Sequence, residues 1–96
     1  MIYFSIIIPV YNRPKTIINT LESIKSQVES SISQIIIIDD SSTDNTLVNL
    51  KNFKKVNTSL KIDIIEKKVR GGPSIARNLG IKKSKGEIIV CLSAHC

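Results

Sequence analysis

Apolar residues along the chain fall into two patterns. The first is short and continuous. Ile6-Ile7-Ile8 and Ile35-Ile36-Ile37-Ile38 are unbroken β-branched runs, the mark of strands covered on both faces in a parallel sheet. A third run, Leu60-Lys61-Ile62-Asp63-Ile64, alternates apolar with polar and suits a half-exposed strand nearer a sheet edge. The spacing predicts strands over Tyr3–Pro9, Gln34–Asp39, Leu60–Glu66 and Glu87–Leu92. The second pattern has the helical period. After Pro14, the residues Ile17, Ile18, Leu21, Ile24 and Val28 share one face. Pro14 fits a first turn, where its missing N–H costs nothing.

A second helix is predicted to start near Ser42–Asp44, whose side chains can cap orphan N–H groups, and to carry Leu47, Leu50 and Phe53. A third begins near Pro73-Ser74 and carries Ile75, Ala76, Leu79 and Ile81. Gly80 in it marks close packing or an unwinding end, and Gly86 marks the turn into the fourth strand. The order β-α-β-α-β-α-β implies right-handed crossovers and a Rossmann-like open parallel sheet of four strands, an α/β fold.

In such sheets ligands bind outside the carboxyl ends of the strands. The polar and glycine motifs gather at that end. Strand one is followed by Pro9-Val10-Tyr11-Asn12-Arg13, and strand two by Asp39-Asp40-Ser41-Ser42-Thr43-Asp44. Strand three leads through Lys67-Lys68-Val69-Arg70-Gly71-Gly72-Pro73-Ser74 to Arg77-Asn78, and strand four into Ser93-Ala94-His95. The opposite end carries ordinary connectors such as Glu29–Ser33. All four strand ends are therefore expected to converge on one nucleotide-sized pocket.

Each candidate has a structural reading beside the functional one. Asp39 can cap turns, and Asp44 can sit at a helix N-terminus. Asp40 can accept from a base N–H or a ribose hydroxyl. Gly71-Gly72 allows close backbone approach, and with Lys67, Lys68 and Arg70 it can hold phosphate oxygens or be a plain solvated loop. Arg77 can fork onto phosphate or pair with Asp39 or Asp40. Tyr11 can stack on a base or cover the sheet edge. No Gly-x-x-x-x-Gly-Lys-Ser/Thr loop and no Gly-x-Gly-x-x-Gly follows strand one, which argues against a P-loop nucleotidase and a dinucleotide enzyme.

Composition changes this picture little. The chain has 96 residues, enough for one domain with a modest core. Its net charge of +6 suits an anionic partner or simple solubility. A nucleic-acid binder is disfavoured, because the lysines are scattered and only 4% of residues are aromatic. Cys91 and Cys96 are too few for a secreted disulfide scaffold, so a reducing compartment is expected, and the N-terminus does not read as a signal peptide. The sequence ends at Cys91-Leu92-Ser93-Ala94-His95-Cys96, directly after strand four, and we expect a piece of a longer protein.

Four motifs in order resemble family 2 glycosyltransferases of the GT-A fold. They are Ser5-Ile6-Ile7-Ile8-Pro9-Val10-Tyr11-Asn12, Ile37-Ile38-Asp39-Asp40-Ser41-Ser42-Thr43-Asp44, Gly71-Gly72-Pro73-Ser74-Ile75-Ala76-Arg77-Asn78-Leu79-Gly80 and Lys85-Gly86-Glu87-Ile88-Ile89. The resemblance implies the nucleotide-sugar-binding half of a truncated GT-A domain over residues 1–96, with the acceptor-binding half absent. It implies that Pro9, Tyr11, Asp39, Asp40, Gly72 and Arg77 form the nucleotide site. It also implies a divalent metal, Mn²⁺ or Mg²⁺, held by an Asp-x-Asp motif at the end of strand four. Here that stretch is Ser93-Ala94-His95, with His95 at the final aspartate's position and Ser93 a weak ligand. An imidazole can bind Mn²⁺ and suits Mg²⁺ poorly, so metal dependence is in question. Cys91, Cys96 and His95 make too few ligands for zinc.

The partners implied are a nucleoside-diphosphate sugar and an acceptor sugar or lipid-linked glycan in polysaccharide or cell-envelope synthesis, with no nucleic acid. The place implied is the cytoplasm or the inner face of the membrane, where the full-length protein can associate peripherally. No plausible catalytic base is present, so this chain alone is expected to bind donor and not to turn over. The competing readings are a nucleotidyltransferase-like domain, which would put a basic Gly-rich loop after strand one, and a non-catalytic nucleotide-binding or receiver-like domain, whose acidic pair would follow strand one.

Overall fold

The two isoleucine runs lie side by side in one sheet. A computed structural model describes residues 1–92. The elements are β1 (Phe4–Val10), α1 (Pro14–Gln27), β2 (Ser33–Asp39), α2 (Thr46–Val56), β3 (Lys61–Glu66), α3 (Pro73–Lys83) and β4 (Ile88–Cys91). All pairings are parallel, and the strand order is β3-β2-β1-β4. Every residue of β2 is buried, as its unbroken run requires. The alternating strand β3 is an edge strand with Lys61, Asp63 and Glu66 exposed. Strand limits differ from those predicted by one residue or so, the usual uncertainty where ladders fray.

Period-2 alternation sends each isoleucine run to two separate cores. Ile6, Ile8, Val10, Ile35 and Ile37 face α1 and α2, and pack with Ile17, Leu21, Ile24, Leu50 and Phe53. Ile7, Ile36 and Ile38 face α3 and pack with Ala76. Each fully buried aliphatic side chain contributes roughly 1.5–3 kcal/mol, so the larger core carries most of the cohesion.

Gly80 belongs to close packing rather than to an unwinding end, since α3 continues to Lys83. A Cβ at Gly80 would lie 2.5 Å from Ile7 Cγ2 and 2.7 Å from Ile38 Cδ1.

Helix α2 begins later than Ser42–Asp44. Those residues instead form the loop that ties β2 to its neighbours. Asp44 still serves the helix start, because its Oδ1 accepts the Thr46 N–H at 2.9 Å, while Asn45 holds the N-cap position. Among the described residues, no helix is long and apolar enough to cross a membrane.

Candidate functional site

The register of the sheet levels three strand ends. Val10 of β1 is beside Asp39 of β2, and Asp39 is beside Glu66 of β3. The loops that leave these ends enclose a cleft with about 560 Å³ of free space, including the solvent at its mouth. Pro9, Val10, Tyr11, Arg13, Asp40, Arg70 and Pro73 line it. The cleft thus draws on the ends of β1 and β2 and on the β3–α3 loop. The fourth strand end does not join it among the described residues: Leu92 lies in a separate groove along α1, beside Thr16, Thr20 and Ser23.

The two adjacent carboxylates do not act as a pair. Asp39 is the last residue of β2, and Asp40 is the first residue of the loop that follows. Asp39 is buried at 1% exposure, and its Oδ2 accepts the Ser42 N–H at 3.3 Å. Its Oδ1 has no hydrogen-bond partner among the described residues, and Asp39 does not line the cleft.

Asp40 turns toward the β3–α3 loop. Its Oδ1 accepts from Lys67 Nζ at 3.1 Å and from the Gly71 N–H at 2.9 Å. Its Oδ2 accepts the Gly72 N–H at 2.8 Å. Burial alone pushes the Asp40 carboxyl up, but the Gly71 amide, the Lys67 ammonium and the Gly72 amide outweigh it and hold its pKa below the ordinary carboxylate value.

This arrangement reassigns the glycine pair. The amides of Gly71 and Gly72 form an anion site at the start of α3, as such loops do. Asp40 already fills that site, so the loop's N–H groups are not available as a phosphate cradle in this conformation. Gly72 has a positive φ of 90°, which a side chain would strain. Lys67, read from sequence as a solvated or phosphate-facing residue, is a half-buried partner of Asp40. Lys67 fills the ion-pair role that Arg77 was expected to contest.

Tyr11 stands at the mouth of β1. The Arg70 guanidinium lies over its ring, 3.9 Å from the centroid. Such a contact is worth on the order of 0.5–1 kcal/mol at an exposed site, weak enough to be exchanged for another flat, electron-poor group. Pro9 supplies an apolar wall.

Of the expected nucleotide-site residues, Pro9, Tyr11 and Asp40 line the cleft, and Gly72 shapes it through its backbone. Asp39 lies beneath it. Arg77 is exposed on α3 and is not among the lining residues. Arg70, read from sequence as able to hold phosphate oxygens, lines the cleft, and so does Arg13, which sequence reasoning did not single out. The signal for Arg13 was its place directly after the Tyr11-Asn12 motif.

No group of three or more His, Cys, Asp or Glu side chains able to hold a metal occurs among the described residues. The expected metal corner, His95 with Ser93, lies outside them. Asp40, the one carboxylate at the cleft, has both oxygens engaged by protein donors, so the described donor set does not form a metal site.

A cleft at the carboxyl ends of a parallel sheet, lined by Tyr11, Arg13 and Arg70, stands where open α/β sheets place their ligands. Residues 5–96 match the family described as "Glycosyl transferase family 2", and the chain belongs to that family. It is 41% identical over 90 residues to an uncharacterized glycosyltransferase of Rickettsia bellii, covering 94% of this chain and 12% of that protein. It is 33% identical over 91 residues to the poly(ribitol-phosphate) beta-N-acetylglucosaminyltransferase TarS of Staphylococcus aureus, covering 94% of this chain and 16% of TarS.

The sheet also superposes on solved GT-A enzymes. The mannosyltransferase PcManGT from Pyrobaculum calidifontis, in complex with GDP-Man and Mn²⁺, matches with a TM-score of 0.90 and 25% identity over 95% of this chain and 27% of that one. TarS in complex with UDP-GlcNAc matches with a TM-score of 0.85 and 28% identity over 97% of this chain and 26% of that one. The α/β fold class and family expected from the motifs hold. The chain spans under a third of the length of each of these relatives.

Proposed function

We propose that this chain is the donor-binding half of a glycosyltransferase, and that it binds the nucleoside-diphosphate portion of a nucleotide sugar. In the whole protein the sugar passes to an acceptor hydroxyl, in polysaccharide or cell-envelope glycan synthesis. The observation that carries the reading is the Tyr11 ring, capped by Arg70 and flanked by Pro9 and Arg13, at the carboxyl ends of β1 and β2. A base sliding onto Tyr11 takes the place of the guanidinium. The released Arg70, with Arg13, then meets the phosphates or the base edge.

The names of TarS and PcManGT support this class of donor. Turnover needs a base to take the acceptor proton. Asp40, the carboxylate at the cleft, is committed to Lys67 and the glycine amides. The 96-residue chain alone therefore binds donor and does not transfer sugar. We place the full-length protein in the cytoplasm or at the inner membrane face, where such donors are present.

Thermal stabilisation by UDP, GDP and CMP, each with and without Mn²⁺, tests the reading against duplex DNA. A shift with a nucleoside diphosphate, lost in Tyr11→Ala, is expected. Stabilisation by DNA and by no nucleotide would sink it. Asp40→Ala is the poorer probe, since it also frees the glycine loop.

A further inference from the structure

Asn12 lies between the cleft residues Tyr11 and Arg13, but it does not line the cleft. Its backbone is left-handed, with φ of 50°. Few residues other than glycine tolerate that region, and asparagine is among the exceptions. Every polar group of Asn12 is in use. Its Oδ1 accepts the Thr43 N–H at 2.8 Å, and its Nδ2 donates to Thr43 Oγ1 at 3.2 Å. Its own N–H donates to Ser42 Oγ at 3.0 Å, and its carbonyl accepts from Arg13 Nη1 at 3.0 Å. One residue along, the Arg13 N–H donates to Thr46 Oγ1 at 3.0 Å.

The β2–α2 loop that receives these bonds is itself held in an unusual conformation, for Ser41 has φ of 64°. Asn12 and Ser41 are both non-glycine residues at positive φ, and Asn12 is tied to the loop that carries Ser41 through Ser42 and Thr43, so the two loops are over-determined by their surroundings. Backbone strain of that kind gathers at ligand clamps and active sites. Fold cohesion alone does not call for it here, because the β1 and β2 strands are already paired along their length.

We propose that Asn12 is a positioning residue of the nucleotide cleft. Its side chain pins the β1–α1 loop to the β2–α2 loop, and so fixes the direction in which Tyr11 and Arg13 leave the end of β1. This rests on the reading of the cleft as a nucleotide site. Loss of the clamp leaves the strands and helices in place and lets the Tyr11 ring wander. A base then finds no fixed platform, and affinity falls through lost pre-organisation.

The test uses the tyrosines of this chain. There are two, Tyr3 and Tyr11, and no Trp. Tyr3→Phe therefore leaves Tyr11 as the sole tyrosine signal, and its own site is the exposed partner of Phe4. In that background we expect a near-UV tyrosine dichroism band from an immobilised ring, and quenching of tyrosine fluorescence on titration with UDP or GDP. Asn12→Ala should flatten the band and weaken nucleotide binding by roughly tenfold, the loss of about one charge-free hydrogen-bonded restraint. Asn12→Gly relieves the positive φ without restoring the bonds, and should behave like Asn12→Ala. Asn12→Asp keeps the acceptor for Thr43 N–H and tolerates the same φ, and should recover most of both signals.

A role in stability only would lower Tm while leaving the band and the affinity unchanged in the folded protein, and that result overturns the proposal. If neither UDP nor GDP binds the parent chain, the nucleotide reading fails, and the dichroism still decides whether Asn12 fixes the ring. If Asn12→Ala does not fold, Ser42→Ala with Thr43→Val removes two of the acceptors and is judged by the same two signals.

Discussion

At the scale of the residue, Asp40 is the hinge of the site. It is the counter-ion of Lys67 and the acceptor for the Gly71 and Gly72 amides, and so it closes the β3–α3 loop over the cleft. Asp40→Asn leaves one amide acceptor but faces a donor group toward the ammonium or the second amide. The expected loss is about 2 kcal/mol by urea denaturation at neutral pH. The pH dependence has a definite sign. The folded-state pKa of Asp40 lies below its ordinary value, so its contribution is complete above about pH 4, the unfolded carboxylate pKa, and is lost as pH falls through the folded value. Stability should therefore drop less between pH 5 and about pH 3 in Asp40→Asn than in the parent. An identical slope in both would remove Asp40 from the acid response. The role of Asp40 as a turn-independent carboxylate was legible in the sequence, but its partners were not. They come from residues 27 to 32 positions away, and only the parallel register of β2 and β3 delivers them.

At the scale of the element, α3 sits closer to the sheet than a side chain at Gly80 allows. Alanine favours helix over glycine by about 1 kcal/mol, so propensity alone argues for a gain. The clash argues for a loss. A Cβ at 2.5 Å from Ile7 Cγ2 must push aside a fully buried side chain, and overpacking costs about 1–3 kcal/mol. Packing wins, and Gly80→Ala should lower Tm by several degrees in calorimetry. An unchanged or raised Tm would mean that α3 can lift from the sheet at little cost. The amphipathic pattern that identified α1 also fixed which face it buries, since Ile17, Leu21 and Ile24 are its buried residues. The start of α2 was less legible. Ser42, Thr43 and Asp44 are capping residues by type, but Ser42 and Thr43 serve Asn12 across the sheet instead.

At the scale of the whole molecule, the two sheet edges differ. The β3 edge presents Lys61, Asp63 and Glu66, charges that discourage pairing with another chain. The β4 edge presents Ile88, Ile89 and Val90, each about two-fifths exposed, and no described strand pairs on its outer side. An apolar edge of this kind templates strand pairing. Ile89→Lys should reduce concentration-dependent association of the isolated chain, measured by light scattering. Equal association in both proteins would place the sticky surface elsewhere.

The sequence by itself determined the order of elements, the parallel sheet, the edge position of β3 and the family, because periodicity and ordered motifs are local properties of the chain. It also placed the polar and glycine motifs at the carboxyl ends of the strands, among them Pro9, Tyr11 and Asp40, which line the cleft. Only the tertiary structure decided the partnerships. It gave Asp39 to the Ser42 amide and Asp40 to the glycine amides and Lys67, laid Arg70 on Tyr11, and left Arg77 outside the cleft. These are contacts between loops far apart in sequence. Strand register and side-chain direction set them, and neither is written in the composition of any one loop.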